Sequence, residues 1–272
     1  KYSIANTSLL YAPVDAYYYL AKCKHVKGNI ILAVDLYNTF YKKAKKKNVL
    51  KEQAYLGILQ CEIADICLKD TTTDVVWNLG DTVNTKLEES SPVISLDGST
   101  IYFTSSRLRK DNTNQSFKDP KTGTYFKDIY ESHHTNIGSW TEPKLLAVSK
   151  TNQNERPSSI SPNGNQLLVN NGDLSKNNIY KYELNKPSIT KLTPFPAKDL
   201  NTNNNEIDAS LSINEEFLYF SSDRRGGFGG YDIYRLRKLP DGTWSKAMNL
   251  GDKINSKNDE VSPFIGFDNK TL

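Results

Sequence analysis

The sequence repeats one short pattern four times, and this repetition constrains the fold more than any other feature of the chain. Each copy begins with a glutamate and reaches an Asp or Asn at the eighth position after it. The four glutamates are Glu89, Glu155, Glu206 and Glu260. Their spacing is close to the repeat of roughly 40–55 residues, built from short strands, that is typical of β-propeller blades.

The clearest internal match supports the same period. Residues 78–92 and 249–263 are identical at nine of fifteen positions. Both segments open with Asn-Leu-Gly-Asp and close with Ser-Pro after the repeated glutamate. The copies at Glu155 and Glu206 lie between the two segments, so three whole repeats separate them, in keeping with the single spacings.

From Thr71 onward the pattern predicts four antiparallel strands in each repeat. Apolar strands at 101–103, 166–169 and 217–220 follow the repeated glutamates, and Asp-Gly or Asn-Gly turns separate strands at 97–98, 163–164 and 241–242. A further strand type carries Asp or Asn followed by Ile-Tyr and starts at Asp128, Asn178 and Asp232. Trp140 and Trp244 mark the remaining strand. Residues 71–272 are therefore predicted to be an all-β propeller, only partly present.

Residues 1–70 have a helical pattern instead. Three helices are predicted, with Gly28-Asn29 breaking the first from the second. The residues expected to face inward are Ala16, Tyr17, Leu20 and Ala21 in the first helix, Leu32, Ala33, Leu36, Tyr37 and Phe40 in the second, and Ala54, Leu56, Ile58, Leu59, Ile63 and Ile66 in the third. The first two helices resemble a tetratricopeptide repeat, and an unrelated helical hairpin is the alternative. The predicted fold class is thus multidomain, α then β.

The ends of the propeller region predict an incomplete ring. Residues 77–80 look like the last strand of a blade whose first strands are absent upstream, and a new strand is expected to begin at 270–272. Propellers have about four to eight blades, so about three blades plus fragments do not close a ring. We expect the natural protein to continue past Leu272.

Several function classes are disfavoured by the sequence. The net charge of +4 is mild for a nucleic-acid-binding domain, and no run approaches the roughly 18 apolar residues that a membrane span needs. The glycine-rich loop at 226–230 lacks a following helix and Lys-Ser/Thr, so a hairpin loop is favoured over a phosphate site. No cofactor, metal site or catalytic residue is predicted, and Cys23, Cys61 and Cys67 are interpreted as small apolar residues, with a disulfide open.

The repeated carboxylates are predicted to be structural. Catalytic carboxylates occur once or as one pair in a site, whereas Glu89 and its three counterparts recur with the blade period. Accepting amide hydrogen bonds at the start of each inner strand is the role expected of them. Asp223 and Asp232 are expected to bind loop amides, with calcium coordination as the alternative, and Asp128 and Asp232 are expected to be structural residues of the blade motif.

The strand repeats resemble a known class of blades. Ser-Ser-Asp-Arg-Arg-Gly-Gly-Phe-Gly-Gly-Tyr-Asp-Ile-Tyr at 221–234 and Leu-Pro-Asp-Gly-Thr-Trp at 239–244 are similar to WD40-like (PD40, TolB-type) blades of Bacteroidota envelope proteins. Together with the helical region, they resemble PorE-like proteins of the type IX secretion and gliding machinery, in which an OmpA-like domain follows the propeller. The blade at 155–193 departs from the pattern by lacking the Gly-rich loop and the Trp, and the blade at 89–146 carries an insertion at 108–125.

The resemblance implies a non-enzymatic periplasmic scaffold associated with the outer membrane, with lipidation left open. Its partners would be proteins of a secretion or gliding complex, and peptidoglycan only through a domain outside these residues. The insertion is the expected partner-contact loop, through Arg109, Lys110, Lys118 and Lys121. Two alternatives are the propeller of a prolyl-oligopeptidase-like peptidase and a TolB-like accessory or sensor protein, the latter favoured by an acidic central channel.

Overall fold

A helical unit and a strand unit make up the chain. The structure, a computed structural model, describes residues 13–69, 75–136, 138–149, 152–172, 176–186 and 191–272. The units comprise Lys1–Trp77 and Asn78–Leu272, whereas the sequence pattern put the change of period at residues 70–71.

The helical unit contains the three predicted helices. Helix α1 spans Asp15–Val26, α2 spans Ile30–Lys43 and α3 spans Leu50–Lys69. Gly28 separates the first two because it adopts φ +75°, a conformation that favours glycine, and its N–H bonds to the carbonyl of His25 at 2.9 Å. Helix α2 contacts both α1 and α3.

Small residues form the centre of the helical unit. Ala21, Ala33 and Ala54 are fully buried, and Tyr37 and Phe40 fill the space between the helices. Helix α3 approaches so closely that a Cβ on Gly57 would lie 2.6 Å from the Tyr37 ring. The expectation that large residues of the helices face inward was partly wrong, because the close contacts use the small residues and leave the large ones on uncovered faces. The exposed ones are Leu20, Leu32, Leu56, Leu59, Ile63 and Ile66.

Among its described residues, the strand unit contains three four-stranded antiparallel sheets, as predicted. Each sheet is built from four strands in chain order. The first sheet has β1 (Glu89–Ile94), β2 (Thr100–Ser105), β3 (Asp128–His133) and β4 (Lys144–Leu145). The second has β5 (Asn154–Ile160), β6 (Gln166–Gly172), β7 (Asn177–Glu183) and β8 (Thr193–Pro194). The third has β9 (Glu206–Leu211), β10 (Phe217–Ser222), β11 (Asp232–Arg237) and β12 (Met248–Asn249).

Successive sheets contact one another through their first strands. Strand β1 contacts β5, and β5 contacts β9. Apolar side chains fill the space between successive sheets, with Ile129 and Leu167 between the first two and Ile179 and Phe220 between the second and third. In a propeller, four-stranded antiparallel sheets pack face to face, and their first strands lie next to one another around a central channel. The three sheets have this arrangement.

Four short segments that the sequence pattern assigns to strands lie outside the strands of the structure. Trp140 and Trp244 lie in isolated bridges to His134 and Lys238, while the fourth strands themselves are only two residues long. Residues 77–80 and 260–265 belong to no strand. The physical reason is the lack of a neighbour: by the internal match, the counterpart of β2 for residues 260–265 would begin only at residue 271. Ser262 nevertheless keeps φ +54°, close to the +50° of its counterpart Ser91 in β1.

Candidate functional site

The carboxylate of Glu89 is surrounded by hydrogen-bond donors at the start of β1. It accepts bonds from the Thr85 N–H and hydroxyl, both at 2.8 Å, and from the Ser105 hydroxyl at 2.7 Å. The guanidinium of Arg107 lies 3.3 Å away and pairs with it. The carboxylate thereby ties the segment before β1 to the end of β2.

Glu206 makes the same set of contacts in the third sheet. Its carboxylate accepts from the Thr202 N–H at 3.1 Å, the Thr202 hydroxyl at 2.6 Å, the Ser222 hydroxyl at 3.3 Å and Arg224 at 3.2 Å. The side chain is 0% exposed. Equal bonding in the first and the third sheet shows that the repeat carries a fixed hydrogen-bond pattern.

The other two repeated glutamates lie in related positions. Glu260 accepts from the Ser256 N–H at 2.8 Å and from the Ser256 hydroxyl at 2.5 Å. Glu155 is fully buried, and its N–H donates to the Lys127 carbonyl at 2.9 Å. In Glu89, Glu206 and Glu260 the donor amide belongs to the residue four positions earlier.

Arg107 and Arg224 complete two of these sites and were not singled out from the sequence. The Arg224 guanidinium lies 4.8 Å from the Phe220 ring centroid and 4.9 Å from that of Tyr234. Arg107 stacks in the same way, on Phe103 and Tyr130. A cation on aromatic faces is attracted by the ring quadrupoles. The missed signal is the spacing, because each arginine follows its glutamate at the same distance along the chain.

Burial and hydrogen bonding shift the pKa values of Glu89 and Glu206 in opposite directions. For Glu89, burial is the largest single influence and raises the pKa, but the bonds from Thr85, Ser105 and Arg107 together outweigh it, so the pKa lies below its usual value. For Glu206, burial dominates and raises the pKa, against the bonds from Thr202 and Arg224.

Asp232 holds the glycine-rich loop. Its carboxylate accepts from the N–H of Phe228 at 2.6 Å, from the N–H of Gly229 at 3.0 Å and from Asn249 Nδ2 at 2.9 Å. Glycine is required beside it, since a Cβ on Gly227 would lie 2.0 Å from an Asp232 oxygen. The loop therefore closes on a carboxylate at the start of β11.

Asp128 occupies the same strand position but binds a different donor. Arg109 Nε and Nη2 donate to its two oxygens at 2.8 and 2.6 Å. The first sheet has the insertion in place of the glycine loop, and the guanidinium supplies the donors that loop amides supply to Asp232. The Asp128 carboxylate raises the pKa of Arg109 through its hydrogen bonds.

Arg109 was wrongly predicted as an exposed partner contact. Its side chain is only 7% exposed, and the side chain of Asp128, with which it pairs, is 1% exposed. Lys110, Lys118 and Lys121 are exposed, as expected for contact residues. Lys110 pairs loosely with Glu142 at 3.2 Å, and Lys118 lies 5.7 Å from the Tyr125 ring centroid.

The loop that carries these lysines is fixed to the sheets. Arg109 joins the loop to the start of β3 through its ion pair with Asp128, and within the loop Asn114 Oδ1 accepts from the Arg109 N–H at 2.9 Å. Asp119 accepts from Asn154 Nδ2 at 2.9 Å, which links the loop to the start of β5. Three exposed cations thus project from a loop with a defined shape.

The two tryptophans of the repeats serve packing. Trp244 lies 5.2 Å from the Phe195 ring, against the core between the second and third sheets. Trp140 packs edge-on against His134, also at 5.2 Å, and against the apolar cluster of the first sheet.

A central cavity of about 220 Å³ lies among the first strands. Residues 92–96, 158–162, 210–213 and 264–267 contribute its walls, and the side chains are apolar or serine. No carboxylate lines this cavity among the described residues. The acidic central channel that would favour a sensor is therefore not found in the part of the chain that the structure describes.

The described residues hold no candidate metal cluster: no group of three or more His, Cys, Asp or Glu residues among them is placed to hold a metal ion. Cys23, Cys61 and Cys67 are free thiols, of which Cys61 is buried. None of the described helices is long and apolar enough to cross a membrane.

Comparison with known proteins gives resemblances at low similarity. No family model matches the sequence, and no curated protein matches it. Among solved structures, TolB from Acinetobacter baumannii is 17% identical over 70% of this chain and 38% of its own, with a TM-score of 0.46. A putative TolB from Agrobacterium tumefaciens is 17% identical over 63% of this chain and 64% of its own, with a TM-score of 0.34.

A peptidase appears among the same matches. Prolyl oligopeptidase B from Galerina marginata is 12% identical over 60% of this chain and 19% of its own, with a TM-score of 0.38. This chain therefore spans less than two thirds of the length of each of these three proteins. Because these identities and TM-scores are low, the propeller fold rests on the three four-stranded sheets and not on these matches.

Proposed function

We propose that this protein is a non-enzymatic scaffold of the periplasm, which links an outer-membrane secretion or gliding complex to other envelope components. Attachment to peptidoglycan would run through a C-terminal domain outside the present sequence. The envelope setting rests on the resemblance of the blade motifs to PD40 repeats, and the partner class follows from it.

The observation that carries the scaffold function is the use of the repeated carboxylates. Glu89 and Glu206 each accept several hydrogen bonds and pair with a stacked arginine. Carboxylates whose oxygens accept bonds from the donors of their own sheet are used to hold that sheet together, which favours a structural role over a catalytic one. The most repeated chemistry in the chain therefore supports the fold.

The surface left for function is the loop between β2 and β3. It is anchored to β3 through Arg109 and to β5 through Asp119, so part of the entropy cost of ordering the loop is met before a partner binds. Its exposed lysines, Lys110, Lys118 and Lys121, favour a partner with an acidic surface. The helical unit, as a tetratricopeptide-like pair with a third helix, supplies a second interaction surface in this proposal.

Affinity purification of the natural protein from native envelopes, followed by mass spectrometry, tests the proposal. We expect outer-membrane or periplasmic components of a secretion or gliding complex among the recovered proteins. Recovery only with soluble cytoplasmic proteins would contradict the envelope scaffold. Co-purifying peptidase activity that depends on the natural chain would favour the peptidase alternative.

The loop is tested with a charge-reversal variant and a matched control. Replacing Lys110, Lys118 and Lys121 with Glu should reduce recovery of the partner at least tenfold and make the remaining recovery less sensitive to added salt, because the attraction that salt screens is gone. The control replaces three exposed lysines elsewhere on the sheets, Lys191, Lys246 and Lys253. Equal loss in both variants would show a general charge effect and remove the loop from the proposal.

A further inference from the structure

The segments before Glu206 and Glu260 each bind the third strand of the preceding sheet. Asn201 accepts the Ile179 N–H at 2.8 Å and donates to the Ile179 carbonyl at 2.7 Å. Asn255 does the same to Ile233, at 2.8 and 3.0 Å. One asparagine side chain therefore satisfies both main-chain groups of the isoleucine in the Asp/Asn-Ile-Tyr strand, and we call this contact the asparagine clasp.

A second contact reinforces each clasp. The residue just before the glutamate accepts the amide that precedes the Asp or Asn of the third strand. Asn205 Oδ1 accepts from Asn177 N at 3.1 Å, and Asp259 Oδ1 accepts from Tyr231 N at 2.9 Å. Successive sheets are thus joined by side chains that replace a β-ladder.

Asn84 stands where a clasp is expected before Glu89. It lies five positions before Glu89, as Asn201 does before Glu206 and Asn255 before Glu260. Asn84 N donates to the Gly80 carbonyl at 2.9 Å, and Asn84 Nδ2 donates to Asn78 Oδ1 at 3.0 Å. The same two bonds recur in the matching segment at 249–263, at 2.8 and 2.9 Å, among Asn249, Gly251 and Asn255.

This clasp holds no strand among the described residues of the strand unit. The third strands of the three sheets are already bound at their isoleucines: Ile129 by Ser149, Ile179 by Asn201 and Ile233 by Asn255. Asn249 also pairs with Tyr234 across a strand ladder, whereas its counterpart Asn78 belongs to no strand. Asn84 therefore makes the same bonds within its own segment as Asn255 makes in its segment, but no described third strand is bound to it.

We propose that residues 78–84 form a docking site for the third strand of a further four-stranded sheet of the same repeat type. The recognised strand carries Asp/Asn-Ile-Tyr, its isoleucine N–H and carbonyl bind the Asn84 amide, and its tyrosine pairs with Asn78. Glu88, in the position of Asn205 and Asp259, is the acceptor for the amide before that Asp/Asn. Its carboxylate pairs with Lys127 in the present arrangement.

The occupant is a sheet of the natural chain outside residues 78–272. A second copy of the described residues offers only third strands whose isoleucines are already bound. The inference uses the clasp geometry alone and does not depend on the proposed scaffold function, so the two can fail separately.

Hydrogen exchange on the natural full-length protein tests the inference, with Asn84→Ala compared with Asn255→Ala. Asn255→Ala measures the value of a filled clasp, and its peptides around Ile233 should exchange at least tenfold faster. We expect Asn84→Ala to accelerate exchange by a similar factor at residues 78–84 and in a peptide outside residues 78–272 that carries the Asp/Asn-Ile-Tyr motif.

Three results would overturn it. One is that Asn84→Ala exchanges hydrogen at the wild-type rate while Asn255→Ala exchanges clearly faster than wild type. Another is an effect of Asn84→Ala that is confined to residues 78–84, which would show that no strand is docked. The third is an effect that depends on protein concentration, which would place the strand in a second molecule.

Discussion

Replacing Glu206 with alanine is the sharpest test of the structural role of the repeated carboxylates. The change removes the acceptor for the Thr202 N–H and hydroxyl, for the Ser222 hydroxyl and for Arg224. All of these donors lie around a side chain that is 0% exposed. The matched control is Glu260→Ala, at the equivalent position of the last repeat.

The magnitude follows from what each change leaves behind. Breaking a buried ion pair by removing one partner costs about 3–5 kcal/mol. Arg224 is 12% exposed and keeps bonds to the carbonyls of Asp199 and Leu200 at 3.1 and 3.2 Å. Burial also raises the pKa of Glu206, so the ionised carboxylate is held at some cost. We therefore expect the lower end of that range, about 3 kcal/mol.

The control should cost less. Glu260 accepts from the Ser256 N–H and hydroxyl, and Ser256 is exposed. Loss of such bonds costs about 1 kcal/mol. The difference of about 2 kcal/mol corresponds to a change of roughly 30-fold in the local opening constant.

Hydrogen exchange with mass spectrometry measures both variants, because a chain with two units need not unfold in one transition. Peptides from β9 and β10 report on Glu206, and peptides spanning 256–265 report on Glu260. A Glu206→Ala variant that loses no more protection than Glu260→Ala would refute the argument. So would a Glu206→Gln variant as damaged as Glu206→Ala, since glutamine keeps the shape and one acceptor oxygen.

The remaining predictions use the same local reasoning. Arg109→Ala should lower the free energy of unfolding by about 3–5 kcal/mol, because it leaves the buried carboxylate of Asp128 unpaired. The control Lys110→Ala should change the free energy of unfolding by less than about 0.5 kcal/mol, and urea unfolding measures both variants. Gly229→Ala should cost about 1–3 kcal/mol in the same assay, since its Cβ would lie 1.9 Å from a main-chain carbonyl oxygen. Carboxyl ¹³C titration should place the pKa of Glu89 below the ordinary glutamate value and that of Glu206 above it. Stability from Glu89 is then present above the ordinary pKa and is lost as pH falls through its lowered one, whereas the contribution of Glu206 is lost as pH rises between the ordinary and the raised value.

Much of the fold could be predicted because it depends on local patterns. The turn signals at Asp97-Gly98 and Asn163-Gly164 lie between strands that pair as expected, and both glycines adopt positive φ. The period of the glutamates likewise predicted the number of strands in each sheet. These features require only neighbours in sequence, whose geometry is nearly independent of the rest of the chain.

The candidate site was harder to predict because it depends on distant pairs. Arg109 looked like one of four loop cations, and only its approach to Asp128, well separated from it along the chain, shows that it is buried. Arg107 and Arg224 were missed for the same reason. Burial of the helical residues was also decided by packing, since Gly57, which was not among the residues expected to face inward, is buried, whereas Leu56 beside it is exposed.

The sequence by itself determined the repeat, the four strands of each sheet, the turns between them and the position of the structural glutamates. Each of these depends on side-chain alternation and backbone preference within a few residues. Only the tertiary structure decided which charged groups are buried, which asparagines bind the neighbouring sheet and which cations remain exposed. Those outcomes depend on which residues meet across sheets, because burial and hydrogen bonding are properties of a pair in space.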